Sequence, residues 1–199
     1  MHGLISRSFE GFIKAAYSED TWRQAMRRLD AGIDGFEAMF RYDKALLERV
    51  VDLCAELLDK EREVLLEDFG TFLVVSEASA RVRRLLRFGG VDFEDFLHSL
   101  EDLSGRAALA VPDLDLPDMC LVEREEGRFE LECALAFDGI GHLLMGLLRA
   151  LADDYGALVF LDHIGRRDAA EVLSILLVTE DFADGRDFHL ADVSISVGD

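Results

Sequence analysis

The sequence predicts an α+β protein in which a helical half is followed by an antiparallel sheet crossed by one helix. Up to about residue 117, apolar residues recur every three or four positions, which is typical of helices that face a core. Beyond that point four segments are rich in β-forming residues, and two of them alternate apolar with polar residues. The only two prolines, Pro112 and Pro117, bracket the turn where the pattern changes.

The length of 199 residues suits one domain, which we divide into a first, helical part, 1–78, and a second part, 79–199. Half of the residues are hydrophobic and 31% are charged, as in folded globular proteins. The 21 basic and 41 acidic residues leave a formal net charge of −20, which repels phosphate backbones and anionic lipid headgroups. We therefore expect neither a nucleic-acid partner nor a membrane partner.

Apolar stripes define the helices of the first half. The first two stripes comprise Leu4, Ile5, Phe9, Phe12, Ile13 and Ala16, and then Trp22, Ala25, Met26 and Leu29. Asp43 is placed to cap a third helix, and a shorter fourth helix is predicted to stop at Gly70. Two further helices are predicted over 79–88 and 92–108, with two glycines between them.

The second half is predicted to consist of two hairpins and a helix. MCLVERE and RFELECAL form a hairpin around Glu126 and Gly127, and ALVFLDHI and EVLSILLV are joined by the polar turn GRRDA. Between the hairpins, Asp138 is predicted to cap a long helix that ends at Gly156. Residues 180–199 begin as an acidic loop and end in alternating apolar residues, so an edge strand and a frayed tail both remain open.

Cysteine usage and the absence of long apolar stretches predict a cytoplasmic protein. Cys54, Cys120 and Cys133 are odd in number, far apart and set in apolar runs, so we expect reduced core thiols and neither a disulfide framework nor a metal site. No stretch approaches the ~20 apolar residues of a membrane span.

Catalytic motifs are missing from the sequence, which lacks HExxH, P-loop and GxSxG patterns, so we expect no enzyme.

One dense basic cluster stands out. It comprises Arg81, Arg83, Arg84 and Arg87. Such a cluster either docks an anionic partner or forms the polar side of a helix, and the second interpretation is the commoner one.

Five segments, in their order and spacing, resemble the haem–nitric oxide/oxygen binding (H-NOX) family, whose sensor domain is also found in soluble guanylate cyclase. They are MHGLI, LLEDFG, GVDFEDFLHSLEDL, PDLDLPDMCLVE and DGIGHLLMGLL, and they cover nearly the whole chain. The resemblance implies the H-NOX fold and a role as a signalling sensor domain. It also implies a protein partner, such as a histidine kinase or a cyclic-nucleotide enzyme.

The residues that hold haem in that family are replaced here. The proximal histidine of the family falls on Ser104, and its Tyr-x-Ser-x-Arg motif falls on Cys133, Leu135 and Phe137. An alcohol is a poor iron ligand, and the guanidinium that would neutralise the haem propionates is lost. We therefore expect no cofactor and a stand-alone signalling module that acts by protein contacts or by binding a small apolar ligand. The candidate pocket residues are Ser104, Pro117, Leu135 and Phe137.

The alternative is a haem-based nitric oxide/oxygen sensor in which His98 serves as a displaced axial ligand. On one continuous helix His98 would point roughly 120° away from Ser104, towards an acidic, solvated side. His142, which shares a helix side with Asp138 and Arg149, is also expected to be solvated. The remaining histidines, His2, His163 and His189, are not expected to bind iron.

Overall fold

Eight α-helices, one short 3₁₀ helix (Glu77–Ser79) and a four-stranded sheet make up the computed structural model, which describes residues 1–111, 113, 114, 116–179, 182, 183 and 185. The helices are α1 (Gly3–Ala16), α2 (Glu19–Leu29), α3 (Lys44–Leu58), α4 (Arg62–Val75), α5 (Ala80–Arg87), α6 (Phe93–His98), α7 (Leu103–Ala110) and α8 (Ile140–Tyr155). The strands are β1 (Met119–Glu125), β2 (Arg128–Ala134), β3 (Leu158–Arg167) and β4 (Ala170–Thr179). The predicted α+β class is confirmed.

Side chains cap the first three helices. His2, Ser18 and Asp43 each accept a hydrogen bond from a backbone N–H of the first turn, at 3.0 to 3.2 Å. This interaction satisfies one of the amide groups that a helix start leaves without a partner. The predicted cap at Asp43 is confirmed, and His2 is a buried capping residue of α1.

The prediction that the fourth helix stops at Gly70 is wrong, because α4 continues to Val75. Gly70 lies where α4 crosses α8, and a Cβ atom there would overlap the carbonyl oxygen of Leu143. Gly146 faces it from α8, where a Cβ would overlap the carbonyl oxygen of Glu67. Glycine at 70 and 146 therefore lets two helix backbones approach closely and does not end a helix.

The single helix predicted over 92–108 is also wrong, since α6 and α7 are separated by turns at 99–102. The Ser99 hydroxyl donates to the carbonyl of Phe96, and the Arg106 guanidinium donates to the carbonyl of Ser99. The backbone there forms tighter bonds between residues three apart, such as that from Leu103 to Leu100. The angle that a continuous helix would place between His98 and Ser104 therefore does not apply.

The sheet has the strand order β1-β2-β4-β3, and every neighbouring pair is antiparallel. The hairpin predicted around Glu126 and Gly127 is confirmed, with Gly127 in the left-handed region at φ 72°. The second hairpin is confirmed as β3 and β4. Helix α8 packs against these two strands on one side and against α4 on the other, so it joins the helical half to the sheet.

Helix α8 ends at Gly156 as predicted, in the left-handed conformation at φ 83°. Asp138, however, does not cap its start: the capping position is Gly139, and the N–H groups of Gly139 and Gly141 donate to the carboxylate of Glu171 on β4. Glu171, about thirty positions further along the chain, thus accepts the N–H groups that the sequence analysis expected Asp138 to cap.

Some predictions fall on residues beyond those described. The question of a strand or a tail concerns residues 180–199, of which only 182, 183 and 185 are described, and Pro112 and Asp115 of the predicted turn are not described either.

Cys54 and Cys133 are buried as expected, but Cys120 is exposed, because its position on β1 points away from the core. None of the described helices combines the length and the apolar character that crossing a membrane requires.

Candidate functional site

Of the four predicted pocket residues, Pro117 and Leu135 lie at the end of the sheet where β1 begins and β2 finishes. Pro117 precedes β1 and is half-buried, and Leu135 follows β2, with its N–H donating to the carbonyl of Ala169 at 3.1 Å. Phe137 is 3% exposed and belongs to the hydrophobic core. Ser104 lies half-buried in the first turn of α7.

A hydrogen bond brings the start of α7 against the sheet. Glu101, in the turn before α7, accepts the N–H of Leu121 on β1 at 2.9 Å. Cys133, which the sequence analysis placed at the position of the family tyrosine, is fully buried, and burial raises the pKa of its thiol to about 12. The side chains at these positions are thus an alcohol, a neutral thiol and hydrocarbon.

His98, the alternative axial ligand, is exposed at the end of α6. Its ring meets the ring of Phe129 edge to face, with the centroids 5.9 Å apart, and Phe129 is a core residue of β2. The imidazole therefore lies at the border between the core and the solvent.

The expectation for His142 is corrected: its side chain is about one-fifth exposed and stacks on His163 of β3. The ring centroids are 4.4 Å apart and the planes differ by 28°. His142 Nδ1 lies 3.4 Å from Glu67 on α4, and His163 Nε2 lies 3.1 Å from Glu171 on β4. The structure thus assembles a titratable cluster from four elements that the sequence analysis did not connect.

Glu171 remains ionised within this cluster although it is buried. Burial opposes its charge, but the N–H groups of Gly141 and Gly139 and the ring of His163 together lower the pKa of its carboxyl below the ordinary value. Its contribution to stability is therefore present above the ordinary carboxyl pKa and is lost as the pH falls through the lowered one.

The basic cluster on α5 divides into two pairs. Arg83 donates two hydrogen bonds to the buried carboxylate of Asp154 on α8, at 2.6 and 3.0 Å, and Arg87 lies over the ring of Tyr155 at 3.7 Å. Arg81 and Arg84 are exposed. Half of the cluster therefore fastens α5 to α8, and the other half is the solvated side of the helix.

Among the residues that the structure describes, no three His, Cys, Asp or Glu side chains form a metal-binding group.

The family model described as Haem-NO-binding matches residues 2–162. The chain belongs to the haem-NO-binding family. This membership confirms the resemblance that the sequence motifs indicated, and with it the relation to guanylate cyclase sensor domains.

Two guanylate cyclases are among the relatives of this family member. "Soluble guanylate cyclase gcy-31" of Caenorhabditis elegans is 21% identical over 154 residues, which cover 77% of this chain and 22% of the relative. "Soluble guanylate cyclase 89Db" of Drosophila melanogaster is 20% identical over 155 residues, 78% of this chain and 23% of the relative. The chain thus aligns with less than a quarter of the length of these curated relatives.

Solved H-NOX structures share the fold of this family member. An Fe(II) H-NOX protein from S. oneidensis superposes with a TM-score of 0.76 at 17% identity, covering 90% of this chain and 97% of that chain. An H-NOX mutant from T. tengcongensis gives 0.73 at 11% identity, with coverages of 90% and 99%. At such identities the likeness establishes the H-NOX fold alone.

Proposed function

We propose that this haem-NO-binding family member is a signalling module that does not hold haem in the family manner and acts by protein contacts or by binding a small apolar ligand. The observation that carries the proposal is the set of side chains at the haem-holding positions of the family. In the register that the sequence motifs indicate, Ser104 stands in place of the axial imidazole, and Cys133, Leu135 and Phe137 stand in place of the motif that receives the propionates.

The residues present do not fit a haem bound as in the family. Iron in such a site needs a nitrogen, sulfur or phenolate ligand, and the hydroxyl of Ser104 is a poor substitute. Propionates need cations, but Phe137 is a buried member of the apolar core. The net charge of −20 adds a general repulsion towards a dianionic ligand.

Exposed apolar side chains support an action through protein contacts. Phe88 and Val91, after α5, are 68% and 89% exposed, and Phe160 on β3 is 63% exposed. By analogy with the family, the partner would be a signalling enzyme such as a histidine kinase or a cyclic-nucleotide enzyme. We propose that the module itself is not catalytic and works in the cytoplasm.

The alternative function is a haem-based nitric oxide/oxygen sensor with His98 as the displaced ligand. The observation that favours it is the contact between His98 and Phe129, which places an imidazole at the edge of the core.

An absorption spectrum tests the two functions. The protein is produced with haem supplied, beside a solved H-NOX protein as the positive control, and we expect no stoichiometric Soret band in this chain. A band that is absent from the His98→Ala variant would establish the alternative, and a band that persists in that variant would establish another ligand. Either result would overturn the haem-free proposal.

A further inference from the structure

The stacked rings of His142 and His163 join α8 to the sheet at the point where α8 also meets α4. Gly141 makes the stack possible, because a Cβ there would lie 2.8 Å from the His163 ring and 2.6 Å from Glu171. Both imidazole side chains are about one-fifth exposed, so protons from the solvent reach them. The first turn of α8 therefore rests on a pair of titratable rings.

The two carboxylates nearest the rings, Glu67 and Glu171, also have arginine partners. Glu67 of α4 pairs with Arg149 of α8 at 3.0 Å, and Glu171 of β4 lies 3.5 Å from Arg166 of β3. Before α8, Asp138 pairs with Arg166 and with Arg62 of α4. Further titratable neighbours are Asp52 of α3, which pairs with Arg62, Glu48 of α3, which accepts the N–H of Asp138, and the buried thiol of Cys133 on β2, across from Glu171.

The first and the second proton on the two rings have different consequences. A carboxylate at the outer end of each ring can accommodate one imidazolium. A second imidazolium would stack directly on the first, with the centroids 4.4 Å apart, and like charges at this distance repel strongly in a partly buried place. Glu67 and Glu171 are each shared with an arginine, so they offset only part of this repulsion.

We propose that the His142–His163 stack is a proton-operated latch, closed while the pair carries at most one proton and opened at the first turn of α8 when both rings are protonated. A falling pH raises the share of molecules in which both rings are protonated, so the latch loosens as the solution becomes more acidic. Because α8 joins the helical half to the sheet, opening its first turn would change the packing between the two. The latch does not depend on whether a haem is bound.

Amide hydrogen exchange at Gly139 and Gly141 tests the latch, because both N–H groups donate to Glu171 inside the cluster. After correction for the intrinsic pH dependence, we expect their protection to fall about tenfold between about pH 7.5 and pH 5.5. His142→Gln or His163→Gln alone should reduce this fall to about twofold, since one ring can no longer be charged. Asp153→Asn is the control, because it removes an exposed titratable group from the same helix, away from the two rings, and should leave the tenfold fall unchanged.

The wild-type protein provides a second measurement that needs no variant. In an NMR titration of the imidazole Cε1 protons, we expect the chemical shift of each ring to change in two steps with pH. The reason is that each ring responds to the proton that the other takes up. Independent single steps for the two rings would overturn the proposal. The same conclusion would follow from an identical pH dependence of amide protection in the wild type and both single variants.

Discussion

Asp154 shows how much one buried charge contributes to this fold. It lies near the end of α8 and is 1% exposed, and its carboxylate accepts two hydrogen bonds from Arg83 of α5. Arg87 approaches the same carboxylate to 3.6 Å. Removing the acid would leave two guanidinium groups facing an uncharged partner in a place where water reaches them poorly.

We expect Asp154→Asn to lower the free energy of unfolding by about 3 kcal/mol, because breaking a buried ion pair on one side leaves the other charge uncompensated. The matched control is Asp153→Asn, which removes an exposed carboxylate from the same helix and should change stability by less than about 0.5 kcal/mol. Urea denaturation at neutral pH measures both variants. If both variants lowered the free energy of unfolding equally, the ion pair between Arg83 and Asp154 would contribute no more than an exposed charge.

At the scale of elements, the crossing of α4 and α8 organises the molecule. Gly70 and Gly146 remove the side chains that would separate the two backbones, and the Thr71 hydroxyl donates to the carbonyl of Gly146 at 3.3 Å. Glycine normally weakens a helix interior, so these positions trade local helix stability for close packing.

Alanine at Gly70 separates these two effects. Helix propensity alone would favour Gly70→Ala by about 1 kcal/mol, but the overlap with the Leu143 carbonyl should outweigh it and destabilise the protein by about 2 kcal/mol. Gly11→Ala in α1 is the control: no atom lies within 4 Å of a Cβ there, so a gain of about 0.5 to 1 kcal/mol is expected. If thermal and urea denaturation gave a gain for both variants, the close approach of the helices would be wrong.

At the scale of the whole molecule, one hydrophobic core includes residues from both predicted parts, 1–78 and 79–199. Phe9, Phe12 and Phe69 of the helical half belong to the same cluster as Phe129 and Leu173 of the sheet. A shared core makes the two parts depend on each other for burial, so we propose that they form a single domain.

Two probes in the two parts test this proposal in one Cys54→Ala/Cys120→Ser variant. Trp22, the only tryptophan, reports on the helical half by fluorescence, and the buried Cys133 thiol of β2 reports on the sheet by pulsed alkylation. Across a urea series we expect the two free energies of unfolding to agree within about 1 kcal/mol. Alkylation of Cys133 at markedly lower urea than the Trp22 transition would indicate two units.

Features that depend on a few neighbouring residues were predictable. The cap at Asp43, the hairpin turn at Gly127 and the helix end at Gly156 follow from side-chain hydrogen bonding or from the left-handed backbone that glycine adopts easily. For the candidate site, the sequence alone shows that Ser104 carries an alcohol and that Leu135 and Phe137 carry hydrocarbon side chains. That the protein does not bind haem in the family manner stays a prediction.

Features that depend on distant residues were missed for one common reason. Gly70 was predicted to stop a helix because the close approach at Gly146, 76 positions away, is not visible in the local sequence. Asp138 was predicted to be a cap because the acceptor that replaces it, Glu171, lies on β4 of the next hairpin. His142 looked solvated because its stacking partner lies on a different element. No local pattern carries information about such pairs.

By itself, therefore, the sequence determined the α+β class, the order of the elements, the family and the acidic surface, since periodicity, turn chemistry and charge are properties of neighbouring residues. The tertiary structure alone decided where helices pass close together, which carboxylates are buried, and that two histidines from α8 and β3 share one cluster. The physical reason is that burial and ion pairing depend on distances in space, which the packing of α8 between α4 and the sheet establishes.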